Sequence, residues 1–181
     1  ACFNDEFGAQ IISLLLEKDA SISVPNIKGY LPMHFASGLG STITNGSYYV
    51  LDFEFAGKIN NNVLRLLVEH DASLNTPNPN GLLPIHSMCE SGEIDLVKLL
   101  VNNGANVNAS DARGRIPIHY ACESTDEIVS FLIKEGVSVN AADVDRVLPI
   151  HVACAKRNLD TVKLLIAHGA DINIPDKNGL V

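Results

Sequence analysis

One short string is written four times along this chain: Gly29-Tyr-Leu-Pro-Met-His34, Gly81-Leu-Leu-Pro-Ile-His86, Gly114-Arg-Ile-Pro-Ile-His119 and Arg146-Val-Leu-Pro-Ile-His151. Its prolines, Pro32, Pro84, Pro117 and Pro149, lie 52, 33 and 32 residues apart, and Gly179-Leu-Val181 opens a fifth copy, so the underlying period is 33. A period of that length constrains the fold more than any local propensity does. Each unit is too small to bury its own apolar face, and successive units must stack to make a core.

A second motif runs between the copies, Leu99 to Asn108, with counterparts at Leu14 to Ser23, Leu66 to Asn75, Phe131 to Asn140 and Leu164 to Asn173. Ile94, Val97, Leu100 and Val101 form a helical stripe, while the aligned Ser13, Arg65, Lys98, Ser130 and Lys163 are polar. Each such helix therefore has a packed side and a solvated side. Gly104, Gly136 and Gly169 stand where a helix end takes a left-handed residue, and Asp19 and Asp71 hold that place in the first two copies. Proline is harmless at or near the first turn of the preceding helix, where its missing N–H has no intrahelical partner to lose. Each unit reads as turn, helix, short connection, helix.

A 33-residue unit with Gly-x-x-Pro-x-His, a Leu-rich second helix and Gly-Ala-Asp-Ile-Asn at 169–173 resembles the ankyrin repeat, and the resemblance covers the chain outside residues 38–58. It implies an all-α solenoid whose turn tips project as fingers and whose first helices line a concave face. The expected units are residues 1–25 (truncated), 26–77 (with an insertion at 38–58), 78–110, 111–142 and 143–175, with 176–181 starting another, as in a fragment of a longer array. One departure is consistent: the family's usual Thr before the Pro is here Leu31, Leu83, Ile116 and Leu148. Losing that hydroxyl cap is expected to cost each first helix ~1 kcal/mol unless another group replaces it.

Charge narrows the partner. The chain has 13 basic and 21 acidic residues, a net of -8, and the basic residues are scattered without a run. Nucleic acid and anionic membranes need a concentrated positive face and are not expected partners. Apolar stretches such as 14–16 and 164–167 fall far short of the ~18 residues of a membrane helix. Cys2, Cys89, Cys122 and Cys154 are too few for a disulfide framework, which points to a reducing intracellular compartment, the cytoplasm.

The pairs His86/Cys89, His119/Cys122 and His151/Cys154 have the i, i+3 spacing of two metal ligands, or of a thiol and its base. They recur once per unit, however, and neighbouring helices pack ~8–10 Å apart, too far for pairs to share one tetrahedral ion with ~2.0–2.3 Å bonds. No metal and no cofactor is expected, and these cysteines read as small buried hydrophobes. The resemblance makes the histidines structural. Neither a Gly-x-Ser-x-Gly elbow nor a phosphate loop is present. Asp143 and Asp145 fall on a finger and Asp126-Glu127 at a helix start, where solvation and the helix dipole explain them. The expectation is a non-catalytic scaffold for a protein partner; the alternative is a regulatory or targeting domain of a larger enzyme or channel.

The resemblance places the contact surface at the finger tips Ile27-Lys28, Pro79-Asn80, Ala112-Arg113, Val144-Asp145 and Lys177-Asn178. Tyr30, Leu82, Arg115 and Val147 stand behind them, with Glu90, Ser91, Glu123, Ser124, Ala155 and Lys156 on the first helices. These positions vary between copies while the packing positions do not, and Ile27, Tyr30, Leu82 and Val147 are apolar where solvent is expected. Arg146 replaces the glycine of the other copies at a finger position expected to need φ > 0, a strain of ~1 kcal/mol or more.

The insertion at 38–58 adds about 19 residues to the period, and loops that long in a compact repeat are functional or disordered. Tyr48, Tyr49, Phe53 and Phe55 are four of the ten aromatic residues of the chain, gathered into eight positions, which favours function. Asn45-Gly46 between β-prone runs predicts a hairpin with a type I′ turn, and Leu51, Phe53 and Phe55 alternate with acids to give one apolar face. That face packs on the scaffold or anchors a partner. A helix from Leu51 onward is the other reading of the segment.

Overall fold

The computed structural model describes residues 5–39 and 60–179. Apart from Gly38 and Leu39, the insertion lies outside these residues, as do the hairpin expected there and Cys2. The described residues form nine helices and no strand: α1 Asp5–Leu16, α2 Pro32–Ala36, α3 Asn61–Glu69, α4 Pro84–Ser91, α5 Ile94–Asn102, α6 Pro117–Ala121, α7 Asp126–Lys134, α8 Pro149–Ala155 and α9 Leu159–Ala167. They make two layers. The outer helices α1, α3, α5, α7 and α9 pack in sequence, α4, α6 and α8 do the same in the inner layer, and each of α2, α4, α6 and α8 packs on the outer helix of its own repeat.

The inner helices have five to eight residues, far below the length at which an isolated helix persists. Packing and one recurring histidine hold them. Leucine or isoleucine at the N-cap offers no acceptor, so the missing hydroxyl is not replaced in kind. Instead only the reciprocal half of a capping box operates. The Nδ1 of His34, His86, His119 and His151 accepts the N–H of Leu31, Leu83, Ile116 and Leu148, at 2.9, 2.9, 3.2 and 3.1 Å. The opposite ring nitrogen, Nε2, then carries the proton and donates to the chain beyond the outer helix, in three cases to the closing residues of the same repeat. His34 reaches the Thr76 carbonyl, His86 that of Ala109 and His151 that of Ile174, at 2.9, 3.0 and 2.9 Å. His119 reaches the Val147 carbonyl instead, at 3.1 Å, on the closing side of the next finger. Burial disfavours the charged ring and pulls His34, His86 and His119 below their ordinary value, against the carbonyl acceptors, which favour charge.

The outer helices start and stop as their sequences dictate. Asn60, Thr125 and Asn158 cap α3, α7 and α9 by accepting from Val63, Ile128 and Thr161 N–H. Asp19, Asp71, Gly104, Gly136 and Gly169 all take positive φ just past a helix end, as their register requires. The next residue then bonds back across the turn, as in Ala72 to the Leu67 carbonyl and Ala105 to that of Leu100, both 2.9 Å, which satisfies carbonyls that the helix leaves open. Along the inward stripe Leu67, Leu100, Leu132 and Leu165 are fully buried. Each contributes about 2 kcal/mol of apolar burial to the stack.

Candidate functional site

Every finger is built around one Asn or Asp that bonds its own backbone. Asn26 Oδ1 accepts from the N–H of Lys28 and Tyr30, Asn78 from Asn80 and Leu82, Asp111 from Arg113 and Arg115, and Asp143 from Asp145 and Val147, all at 2.8–3.0 Å. An Asx side chain closes a turn this way. The fingers also bond to each other: Val144 N–H donates to the Arg113 carbonyl at 2.9 Å and Lys177 N–H to that of Asp145 at 3.0 Å. Arg146 has φ 61°, the left-handed conformation expected of it, and its N–H donates to the Asp143 carbonyl at 2.9 Å, so the finger keeps its shape.

This frame displays Ile27, fully exposed, with Lys28, Pro79, Asn80, Ala112, Arg113 and Val144 also exposed. Leu82 and Val147 are half-buried. Tyr30 departs from expectation. It is buried at 8% exposure, its ring 5.8 Å from that of Phe35 and 6.1 Å from that of His34, so it belongs to the packing behind the finger and not to the display. Asp145 is half-buried between Lys177 at 2.7 Å and Arg113 at 3.7 Å. Tyr48, Tyr49, Phe53 and Phe55 lie outside the described residues.

On the inner helices the structure joins three of the expected residues into one network. Arg115 Nη2 lies 2.7 Å from Glu123 Oε1, and Lys156 Nζ lies 3.0 Å from Glu123 Oε2, so one carboxylate ties the finger before α6 to the end of α8. Burial of Glu123 works against its charge, but the Arg115 and Lys156 bonds outweigh it and hold the carboxyl below its usual range. Glu90 stands exposed on α4, while Ser91 and Ala155 are exposed and Ser124 half-buried at neighbouring positions.

Tyr120 and Asp111 complete the surface, and sequence reasoning passed over both. Tyr120 Oη donates to Asp111 Oδ2 at 2.6 Å, the Arg115 guanidinium sits 4.6 Å from the ring centroid, and the His86 ring lies 5.3 Å away. Burial, then the Asp111 bond, pushes the phenol above its ordinary value. Burial also opposes the charge on Asp111, but the bonds from Tyr120 and from Arg115 and Arg113 N–H keep that carboxyl below its usual range. The signal was available in the chain: three residues after the proline the copies carry Phe35, Ser87, Tyr120 and Val152, as variable a position as any in the contact set.

Cys89 and Cys122 are free, buried thiols, both raised by burial, Cys122 to about 12; Cys154 is free and exposed. A thiol held that high offers no thiolate at neutral pH. Among the described residues no group of three His, Cys, Asp or Glu could hold a metal ion, and no helix is long and apolar enough to cross a membrane. An open groove of about 700 Å³ crosses the outer helices α5, α7 and α9. Of its charges, Lys98 pairs with Glu127 at 3.8 Å and Lys163 with Asp160 at 3.3 Å, which leaves it a solvated face and not a focused site.

Residues 107–176 match a family model described as ankyrin repeats (3 copies), and residues 67–121 match one described as ankyrin repeats (many copies). Together the two span more than half of the chain. No curated protein matches it.

Proposed function

Since the chain belongs to the ankyrin-repeat family, whose repeats generally mediate protein–protein interaction, we propose that it is a non-catalytic scaffold of the cytoplasm that binds one protein through its fingers and inner helices. The observation that carries this reading is the Tyr120 cluster. Tyrosine and arginine dominate the energetics of protein interfaces, and here both are half-buried and held in one geometry by Asp111, Glu123 and Lys156. Side chains ordered before binding lose little freedom when a partner arrives. Ile27, Pro79, Ala112 and Val144 add an apolar row along the finger tips, and Tyr48, Tyr49, Phe53 and Phe55 of the insertion add a further contact. The insertion is rooted between the layers, where Asn60 N–H donates to the Ala36 carbonyl at 2.9 Å.

Capture from extract, read by quantitative mass spectrometry, tests the assignment. A specific protein should be retained by the wild type and by the outer-helix variant Ser130→Glu, and lost with Tyr120→Ala and with Glu90→Arg. The opposite pattern would move the interface to the outer helices. Replacing residues 39–57 by a Gly-Ser linker should weaken capture and leave the melting temperature unchanged; a lowered melting temperature would make the insertion part of the core.

A further inference from the structure

Among the described residues, four other than glycine have positive φ: Asp19, Asp71, Arg146 and Arg157. The two aspartates end helices, and short polar side chains tolerate that conformation. The two arginines do not share that excuse. Both belong to the fifth repeat, one on each side of α8, at φ 61° and 58°. In the register of Arg146 the chain elsewhere carries Gly29, Gly81, Gly114 and Gly179, and in that of Arg157 it carries Gly92, all at φ 76–83°. Both side chains are exposed, and neither guanidinium makes an ion pair or hydrogen bond with another described residue. Nothing within the described fold offsets the strain that glycine would avoid. Such outliers persist where the side chain serves function.

The surrounding charges indicate what that function is. Asp145 is occupied by Lys177 and Arg113, Asp143 closes its own turn, and Glu123 is shared by Arg115 and Lys156. Two cations on one carboxylate leave an excess of positive charge, and Lys156 adjoins Arg157. A basic rim thus flanks α8 on a chain whose net charge is -8. We propose that Arg146 and Arg157, with Lys156, read a carboxylate-rich segment of the bound protein. The proposal rests on the scaffold reading above and names the chemistry of its partner. Separate guanidiniums suit carboxylates met one at a time; a polyphosphate needs a concentrated positive face, which the scattered basic residues do not make. Arg146 and Arg157 lie eleven residues apart across a short helix, on the order of 15 Å. An extended segment rising ~3.3 Å per residue would span them with acidic side chains about five residues apart.

Fluorescence anisotropy with a labelled, end-blocked octaglutamate, against octaserine, tests this at about 50 mM salt. The wild type should bind octaglutamate saturably and octaserine not at all. Arg146→Gly and Arg157→Gly should each weaken binding at least threefold, and the double variant about tenfold or more. Lys134→Gln, which removes one positive charge from α7, should change nothing. Both glycine variants restore the residue that other repeats carry, so they should fold at least as well as the parent, which urea unfolding verifies. Three results would overturn the proposal: no binding of octaglutamate, equal binding by the double variant, or an equal loss with Lys134→Gln. Tighter binding of an eight-nucleotide single-stranded DNA, lost in the same variants, would overturn it in favour of a polyphosphate reader. If the double variant still captures the partner that Tyr120→Ala loses, the rim is excluded and the scaffold reading stands.

Discussion

Leu100 and Leu15 occupy the same register of the outer layer, yet Leu100 is fully buried and Leu15 is 42% exposed. Leu100 lies on α5 with α3 and α7 on its flanks and α4 beneath it; α1 packs on α3, with no inner helix of its own repeat among the described residues. The far end differs in the same way. Cys154 is exposed although its counterparts Cys89 and Cys122 are buried, and Ile166 is 49% exposed. In a stack, what a residue contributes depends on its neighbours on both sides as much as on its own identity.

The largest test of that contrast is truncation at the two leucines. Leu100→Ala should cost about 3 kcal/mol in urea unfolding and Leu15→Ala about 1 kcal/mol or less, because only the first leaves a closed cavity. Comparable losses would show that the described end of the stack is as tightly packed as its middle.

Acid should come next. Unfolding frees His34, His86 and His119 to titrate near 6.5, above their folded values, so the unfolded chain binds more protons. Their contribution is complete above that pH and is lost as pH falls through the lowered folded values, so the urea midpoint should fall between pH 7 and pH 5. Asp111 and Glu123 act in a lower window, below the ordinary carboxylate range. His86→Ala should cost on the order of 2 kcal/mol at pH 7 for its two hydrogen bonds and flatten the slope between pH 5 and 7. An unchanged slope would remove His86 from the acid response.

Two smaller effects concern the fifth repeat, and both should be gains. Thr161 is fully buried on α9 in the register of Leu96 and Ile128, and its hydroxyl has no hydrogen-bond partner among the described residues. Thr161→Val should therefore stabilise by about 1 kcal/mol, read as a higher urea midpoint. A loss would mean that the hydroxyl is satisfied in solution. Arg146→Gly should gain about 0.5 kcal/mol, since relief of the left-handed strain exceeds the added freedom of glycine in the unfolded chain. A loss there would reveal a contact made by the arginine.

The parts of the fold legible in the sequence were those that the repeat samples several times. Pro32, Pro84, Pro117 and Pro149 each open an inner helix, and the left-handed positions from Asp19 to Gly169 each close an outer one, because local geometry sets both. Tyr30 was not legible as buried because its cover comes from Phe35 and His34, a tertiary arrangement that exposure rules for finger residues do not contain. Tyr120 was missed for a related reason. Its partners Asp111, Arg115 and His86 come from two repeats, and nothing in their spacing announces that they meet. The loss of the hydroxyl cap was visible, but the imidazole bond to the N-cap N–H depends on a ring orientation set by a carbonyl far along the chain.

That ring orientation couples hydration to proton uptake. When the segment beyond an outer helix peels away from the inner helix, the Nε2–H of His34, His86 or His119 loses its carbonyl and the imidazole meets water, where it titrates as an ordinary histidine. Below pH 6.5 the ring then picks up a proton, Nδ1–H can no longer accept the N–H of the preceding residue, and the start of that inner helix loosens in turn. Fraying in acid therefore proceeds as a ratchet, each opened junction charging the histidine that would have to be neutral for it to close. Amide hydrogen exchange at Leu31, Leu83 and Ile116 should record it as protection lost as the pH falls.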